Sequence, residues 1–302
     1  MFQSIANDFR YAWNRPNSGL QRLIMVNVIV FLVINILWLF SSDALFAEII
    51  RFIALPVDLK ETIWKPWTVV SSFFAHHGFS HILWNMLFLY WFGMLIRDYL
   101  GNDKLISLYF LGGLAGTIGV LVLFNLVPSF AARAEGIALG ASAAVFAISV
   151  AAATLMPDHA FHLIFIGPVK IKYIVAIHVF FAVIGLKGNN VGGEVAHLSG
   201  AFVGYLYVRQ LQQGNDMGAW VIRTLSFFQS FFVRQPKIKV SYKKNTSSGR
   251  RSATQSRSTR GTSNAKNASQ EEIDAILDKI SEKGYESLTK EEKQKLFNAS
   301  KK

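Results

Sequence analysis

The chain has 302 residues, 52% of them hydrophobic and only 17% charged, with 25 phenylalanines. That balance excludes most ordinary soluble domains, and the lack of any cysteine excludes a disulfide framework, a thiol nucleophile and a thiolate metal site. The formal charge of +12 points to an anionic membrane surface or to nucleic acid, and it is concentrated in the tail.

Residues 1–19 form a polar, Arg-bearing segment with Arg10 and Arg15, followed by the first of six apolar runs. The runs cover about 20–40, 80–99, 105–127, 139–155, 171–186 and 195–211, and crossing a hydrocarbon core takes roughly 20 helical residues. The first run is too long for a typical signal-peptide core and no small-residue cleavage site follows promptly, so it reads as a retained span. Six spans put both termini on one side. Arg10, Arg15, Arg22, Arg97, Lys104, Lys170, Lys172 and Arg209 all fall on that side, which the positive-inside rule makes cytoplasmic. The expected architecture is an all-α polytopic membrane protein: a six-helix core over 20–211 with a cytoplasmic C-terminal extension.

The second run opens with "AHHGFSHILWNMLF", in which His81 and Asn85 stand four apart and share one helix face. Ionisable and amide groups in a span are expensive and are functional candidates by default; the bland alternative is polar glue between helices. His77 and His81 are also four apart, but no carboxylate lies nearby to complete a site and no HExxH occurs, so no metal is expected.

In the fourth run, "IALGASAAVFAISVAAATL", Ser142 follows Gly140 by two residues. A serine there is ordinarily bonded back to a carbonyl one turn earlier, or is small for packing. Its position suggests more. A helix from about 142 to 155 is roughly 21 Å long and cannot cross the bilayer. The stretch 128–140 must then enter as irregular backbone covered by protein or a water-filled cavity, leaving Ser142 at a buried helix N-terminus that favours developing negative charge. Gly140, Ala144, Ala147 and Ala151 form a small-residue ridge along this run.

His178, half-way along the fifth run, reads as a structural hydrogen-bonder. The sixth carries "EVAHLSGAFVGYLY", where His197, Gly200 and Gly204 follow i, i+3, i+7, so the histidine stands on a face that small residues open to close packing. A hydroxyl, an imidazole and oxyanion donors are the parts of acyl transfer: Ser142 could attack, His197 could move the proton, and His81, Asn85 and the Ser142 amide could hold the oxyanion.

Past the core, 217–234 reads as an amphipathic juxtamembrane helix with Val221, Leu225, Phe228 and Phe232 on one face. Residues 237–270 contain no acid, so 235–270 reads as a basic disordered linker beside anionic lipid headgroups; with Tyr242 as its one aromatic and no folded reader, nucleic acid is not expected as a partner. Residues 271–302 suggest a small helical hairpin, with capping boxes at Ser269/Glu272 and Thr289/Glu292 and an apolar stripe of Ile273, Ile276, Leu277 and Ile280.

Three motifs in chain order, "HILWNM", "GAS" and "AHLSGAFVG", resemble those of the rhomboid family of intramembrane serine proteases. The resemblance covers about 20–211 and implies a Ser142–His197 dyad, an oxyanion site with His81 and Asn85, no cofactor, and transmembrane proteins as substrates in a bacterial-type plasma membrane. His76 falls where the family often has a histidine, and Phe146 matches an aromatic that packs on the imidazole, often a tyrosine. Ala143 stands where glycine is common, and "WKPW" replaces a Trp-Arg pair. Glu194 could orient His197, but the family works as a dyad, so Glu194 reads as a residue of the cavity mouth. The competing readings are a catalytically inactive rhomboid-like protein that binds membrane clients, and a transporter, for which no inverted repeat or charged pathway is visible.

Overall fold

The computed structural model describes residues 2–131, 136–163, 166–232, 264–283, 287–289, 291–293 and 295–296. They fall into two units, 1–236 and 237–302. The first opens with α1 (Phe2–Asn14) and α2 (Gly19–Phe40), continues through a connecting region of α3 (Asp43–Ile53), β1 (Leu55–Pro56), α4 (Leu59–Trp64), α5 (Thr68–Ser71) and a 3₁₀ turn (Ser72–Phe74), and then enters α6 (Phe79–Leu100) and α7 (Asn102–Leu126). After α8 (Pro128–Ala131) and β2 (Ile137–Ala138) come α9 (Ser142–Leu155), the hairpin β3 (Ala160–Leu163) and β4 (Gly167–Lys170), α10 (Ile171–Gly185), α11 (Val191–Gln212) and α12 (Ala219–Phe232). Helices occupy all six apolar runs. Of these, α2, α6 and α7 are long and apolar enough to cross a membrane, with α9 and α10 as shorter apolar helices.

Sequence explains the boundaries. Ser42 and Asp58 cap α3 and α4 by accepting the Leu45 and Glu61 amides at 3.4 and 2.9 Å. A single residue, Gly101 at φ +88°, reverses the chain between α6 and α7, a conformation side chains rarely adopt.

The interior is organised around α9. It is apolar on all sides, and Ala143 to Ser149, Ala151 and Ala152 are all buried, as expected of a helix enclosed by others. Small residues set the spacing. A β-carbon on Gly112 of α7 would press on Ala144 and Ala147, one on Gly116 would strike Ala143, and ones on Gly200 and Gly204 of α11 would overlap the carbonyls of Ala143 and Ala147. The β-carbons of Ala143 and Ala147 thus face the α7 glycines, while α11 meets α9 through the carbonyls of the same two residues. By contrast, α2 and α10 expose Val28, Ile29, Leu32, Ile177, Phe180 and Phe181, an outward apolar surface of the kind that a bilayer covers. The chain is an integral membrane protein with several spanning helices.

One polar network crosses the bundle. Asn27, fully buried in α2, donates to the Tyr109 hydroxyl at 3.0 Å, which donates to the Phe73 carbonyl at 2.9 Å. It ties α2 and α7 to the segment before α6, and Asn27 within a span was a polar signal open to notice in the sequence.

Helix α12 turns Val221 and Leu225 toward the bundle, while Phe227, Phe228 and Phe231 are exposed. Phe228 thus leaves the face it was expected to share with Val221. The entry to the helix is fixed by the Ser107 hydroxyl, which donates to the Gly218 carbonyl at 3.0 Å.

In the second unit, α13 (Asn264–Lys283) begins within the stretch expected to be linker, so Ser269 lies inside the helix and is no cap. Residues 235–263 of that stretch, and 233–234 at the end of the helix expected before it, lie outside the described residues. The second capping box forms as expected: Thr289 N–H donates to Glu292 at 2.8 Å and Glu292 N–H to the Thr289 hydroxyl at 3.3 Å. Lys279 pairs with Glu292 at 2.9 Å and Lys295 with Glu272 at 3.0 Å.

Candidate active site

Ser142 is the first residue of α9, and the three residues 140–142 are fixed from outside the helix. Gly140 adopts φ +128°, its N–H donates to the Ser72 carbonyl at 2.9 Å, and a β-carbon there would stand 2.9 Å from the His81 ring. The next amide, Ala141 N–H, donates to His76 Nε2 at 3.4 Å, while His76 Nδ1 lies 3.3 Å from the Phe74 carbonyl. Nδ1 therefore carries the proton and Nε2 accepts. Burial, with the nearby His81 ring adding to it, lowers His76 to about 4, which keeps the ring neutral and able to accept. His76 thus supports the backbone just before Ser142. The amide of Ser142 is one of the helix-start donors without an intrahelical acceptor.

His197 is delivered by the close contact of α11 with α9. Its Nε2 lies 2.8 Å from Ser142 Oγ, across a sequence separation of 55 residues. Phe146, one turn after Ser142, stacks on the imidazole with centroids 4.5 Å apart and planes 6° from parallel. On the ring's other nitrogen, Nδ1 is 3.0 Å from Glu194 Oε2. A carboxylate only accepts, so Nδ1–H donates to Glu194 and Nε2 is left to accept the Ser142 hydroxyl proton. The mouth position expected for Glu194 is corrected: its carboxylate turns back one turn along α11 onto the imidazole. His178 also departs from expectation. It packs between Phe146 at 3.9 Å and Phe88 at 4.8 Å, and among the described residues its Nδ1 has no hydrogen-bond partner.

His81 and Asn85 lie one turn apart on α6, across from Gly140. Asn85 is buried and spends one N–H on the His81 carbonyl at 2.9 Å, leaving the second for a ligand. Together with Ser142 and His197 they line a cavity of 1320 Å³, whose walls include Trp84, Phe88 and Gly193. His77 sits at its edge, exposed. Ser142, His197, His81, Asn85, Gly140 and Phe146 are therefore brought to one place; Gly200 and Gly204 act from behind through helix packing. Ala143, in place of a common glycine, fits because Gly116 has no side chain.

The arrangement has a hydroxyl, a hydrogen-bonded imidazole and donors about a shared cavity. A Rhomboid domain matches residues 63–213, half the chain and the part that holds every one of these residues. The chain belongs to the rhomboid family. It is 30% identical over 205 residues to Rhomboid protein 1, mitochondrial, of Saccharomyces cerevisiae, covering 66% of this chain and 55% of that one. It is 30% identical over 158 residues to RHOMBOID-like protein 12, mitochondrial, of Arabidopsis thaliana, covering 49% and 47%. It is 28% identical over 205 residues to the human Presenilin-associated rhomboid-like protein, mitochondrial, covering 65% and 50%. The chain spans about half the length of these rhomboid relatives. Residues 261–302 match a separate family of unknown function, DUF6576.

Proposed function

We propose that this rhomboid is an intramembrane serine endopeptidase with Ser142 as nucleophile and His197 as base. The observation that carries the reading is the 2.8 Å contact between Ser142 Oγ and His197 Nε2 on the wall of a large cavity in an apolar bundle. Ser142 Oγ attacks the scissile carbonyl carbon while its proton passes to Nε2. The new oxyanion is held by the Ser142 amide, His81 and the free N–H of Asn85. The imidazolium then gives its proton to the departing amine, the C–N bond breaks, and water repeats the sequence on the acyl-enzyme. No step calls for a cofactor.

In this reading, α2, α6, α7, α9, α10 and α11 are the six membrane helices, both termini are cytoplasmic, and the bilayer is a bacterial-type plasma membrane. The substrates are transmembrane helices, reached from the lipid. The cationic stretch after α12 lies against anionic headgroups. The test is labelling of the purified chain with a serine-directed fluorophosphonate. Covalent modification at Ser142, lost in Ser142→Ala and in His197→Ala together with peptide cleavage, is the expected result; cleavage that persists in Ser142→Ala overturns the assignment.

A further inference from the structure

We propose that Glu194 is a positioning residue of this site, one that fixes the tautomer and orientation of His197, and that Gly185 at the end of α10 is the position that makes room for it. The proposal rests on the Ser142–His197 reading above and deepens it.

Glu194 stands in the first turn of α11, where an acidic side chain ordinarily serves the helix end. That need is met by another residue. Asn190 accepts the Gly193 amide on its side chain at 3.3 Å and the Glu194 amide on its carbonyl at 3.2 Å. The Glu194 carboxylate instead reaches one turn along the helix to His197 Nδ1 at 3.0 Å, with the two side chains only 21% and 19% exposed. A second element closes around it. A β-carbon on Gly185 would stand 2.7 Å from the Glu194 carboxyl carbon, 2.8 Å from Oε1 and 2.9 Å from Cγ. A side chain at 185 would displace the carboxylate from its place beside the imidazole.

The consequence is chemical. An imidazole free to turn or to exchange its proton between nitrogens presents a bare Nε2 to Ser142 only part of the time. With Nδ1–H donated to Glu194, Nε2 is always the acceptor. When Ser142 Oγ bonds to the carbonyl carbon and its proton moves to Nε2, the imidazolium carries both protons beside a carboxylate that stabilises its charge. That proton then leaves with the amine, and Glu194 takes up none. Phe146 restrains the ring plane, Glu194 its rotation within that plane.

The test uses the full chain in detergent, reading fluorophosphonate labelling at Ser142, peptide kcat and KM, and the thermal midpoint. Glu194→Ala should lower kcat and the labelling rate about 10–100-fold with KM within about twofold, the scale on which residues that orient a functional histidine act. Glu194→Gln should lose less, because its amide oxygen can still accept Nδ1–H. Gly185→Ala should slow both rates with Glu194 present and add nothing in the Glu194→Ala background, since each change removes the same interaction. Rates in Glu194→Ala within about twofold of wild type, with only the midpoint lowered, would overturn the proposal and leave a helix-end role. An equal effect of Gly185→Ala in both backgrounds would overturn it too, and if Glu194→Ala fails to fold, Gly185→Ala alone with both rates within about twofold of wild type overturns it. A wild-type chain that does not label at Ser142 would instead sink the protease reading itself.

Discussion

Gly200 in α11 faces the carbonyl of Ala143 in α9 so closely that a β-carbon on it would overlap the carbonyl oxygen. His197 is three residues earlier on the same helix, and Ser142 is the residue before Ala143. The backbone contact thus sets the distance between the two side chains. Gly200→Ala should force the helices apart or tilt them, at a cost of about 1–3 kcal/mol for overpacking, and lengthen the Ser142–His197 contact. Thermal melts should show the loss of stability, and fluorophosphonate labelling should slow more than stability alone explains; a variant with a lower midpoint and normal labelling would separate packing from alignment.

Asn85→Ala tests the oxyanion role. One donor is typically worth about 10²–10³ in rate, and the Ser142 amide would remain, so cleavage should fall in that range without vanishing. Unchanged turnover would make Asn85 a helix-internal bond to His81 and nothing more.

The motifs made the candidate site legible because each proposed catalytic part is a polar residue at a fixed spacing in an apolar run, and in hydrocarbon such residues are costly. The start of α9 at Ser142 was legible for a related reason: the run is too short to cross. What spacing could not give was direction. It put Glu194 and His197 on one face without saying whether the carboxylate turns toward the ring or the solvent, a direction that also depends on the space left by Gly185 on another helix. His178 likewise looked like a hydrogen-bonder until its neighbours proved to be two phenylalanines. The pairing of Leu55 with Ala138 and Pro56 with Ile137 joins segments some 80 residues apart, and no local pattern announces it.

His76 gives the protein a pH dependence of stability. Its folded value of about 4 lies below the ordinary 6.5, so above pH 6.5 it is neutral in both states and its bond to Ala141 N–H is intact. As pH falls through 6.5 the unfolded chain takes up a proton that the folded one refuses, and stability declines down to about pH 4. The thermal midpoint in detergent should therefore drop more steeply between pH 7 and about 4.5 in wild type than in His76→Asn. Parallel curves would show that His76 is not the responsible group.

Truncation after α12, before Lys237, should preserve cleavage of a model substrate in detergent, because every proposed catalytic group precedes residue 212 and the chain divides into units at 236/237. A folded truncation without activity would place part of the active machinery in the region matched by DUF6576.

Substrate choice follows from where Ser142 lies, within a cavity enclosed by an apolar bundle. A helix arriving from lipid has each scissile carbonyl engaged in its own i→i−4 ladder, and its side chains shield the backbone from attack. It must unwind locally, and in hydrocarbon each freed amide costs several kcal/mol unless the segment is already weak or has reached the polar groups around Ser142. Good substrates should therefore carry Gly, Pro or other helix-weakening residues near the outer end of the span, cut beside a small residue. Replacing those residues by Leu, with the cut-site residues unchanged, should sharply lower cleavage in membranes, while a short soluble peptide around the same bond should be much less affected. Equal cleavage of the stiffened and native spans would mean that helix unwinding does not limit access to Ser142.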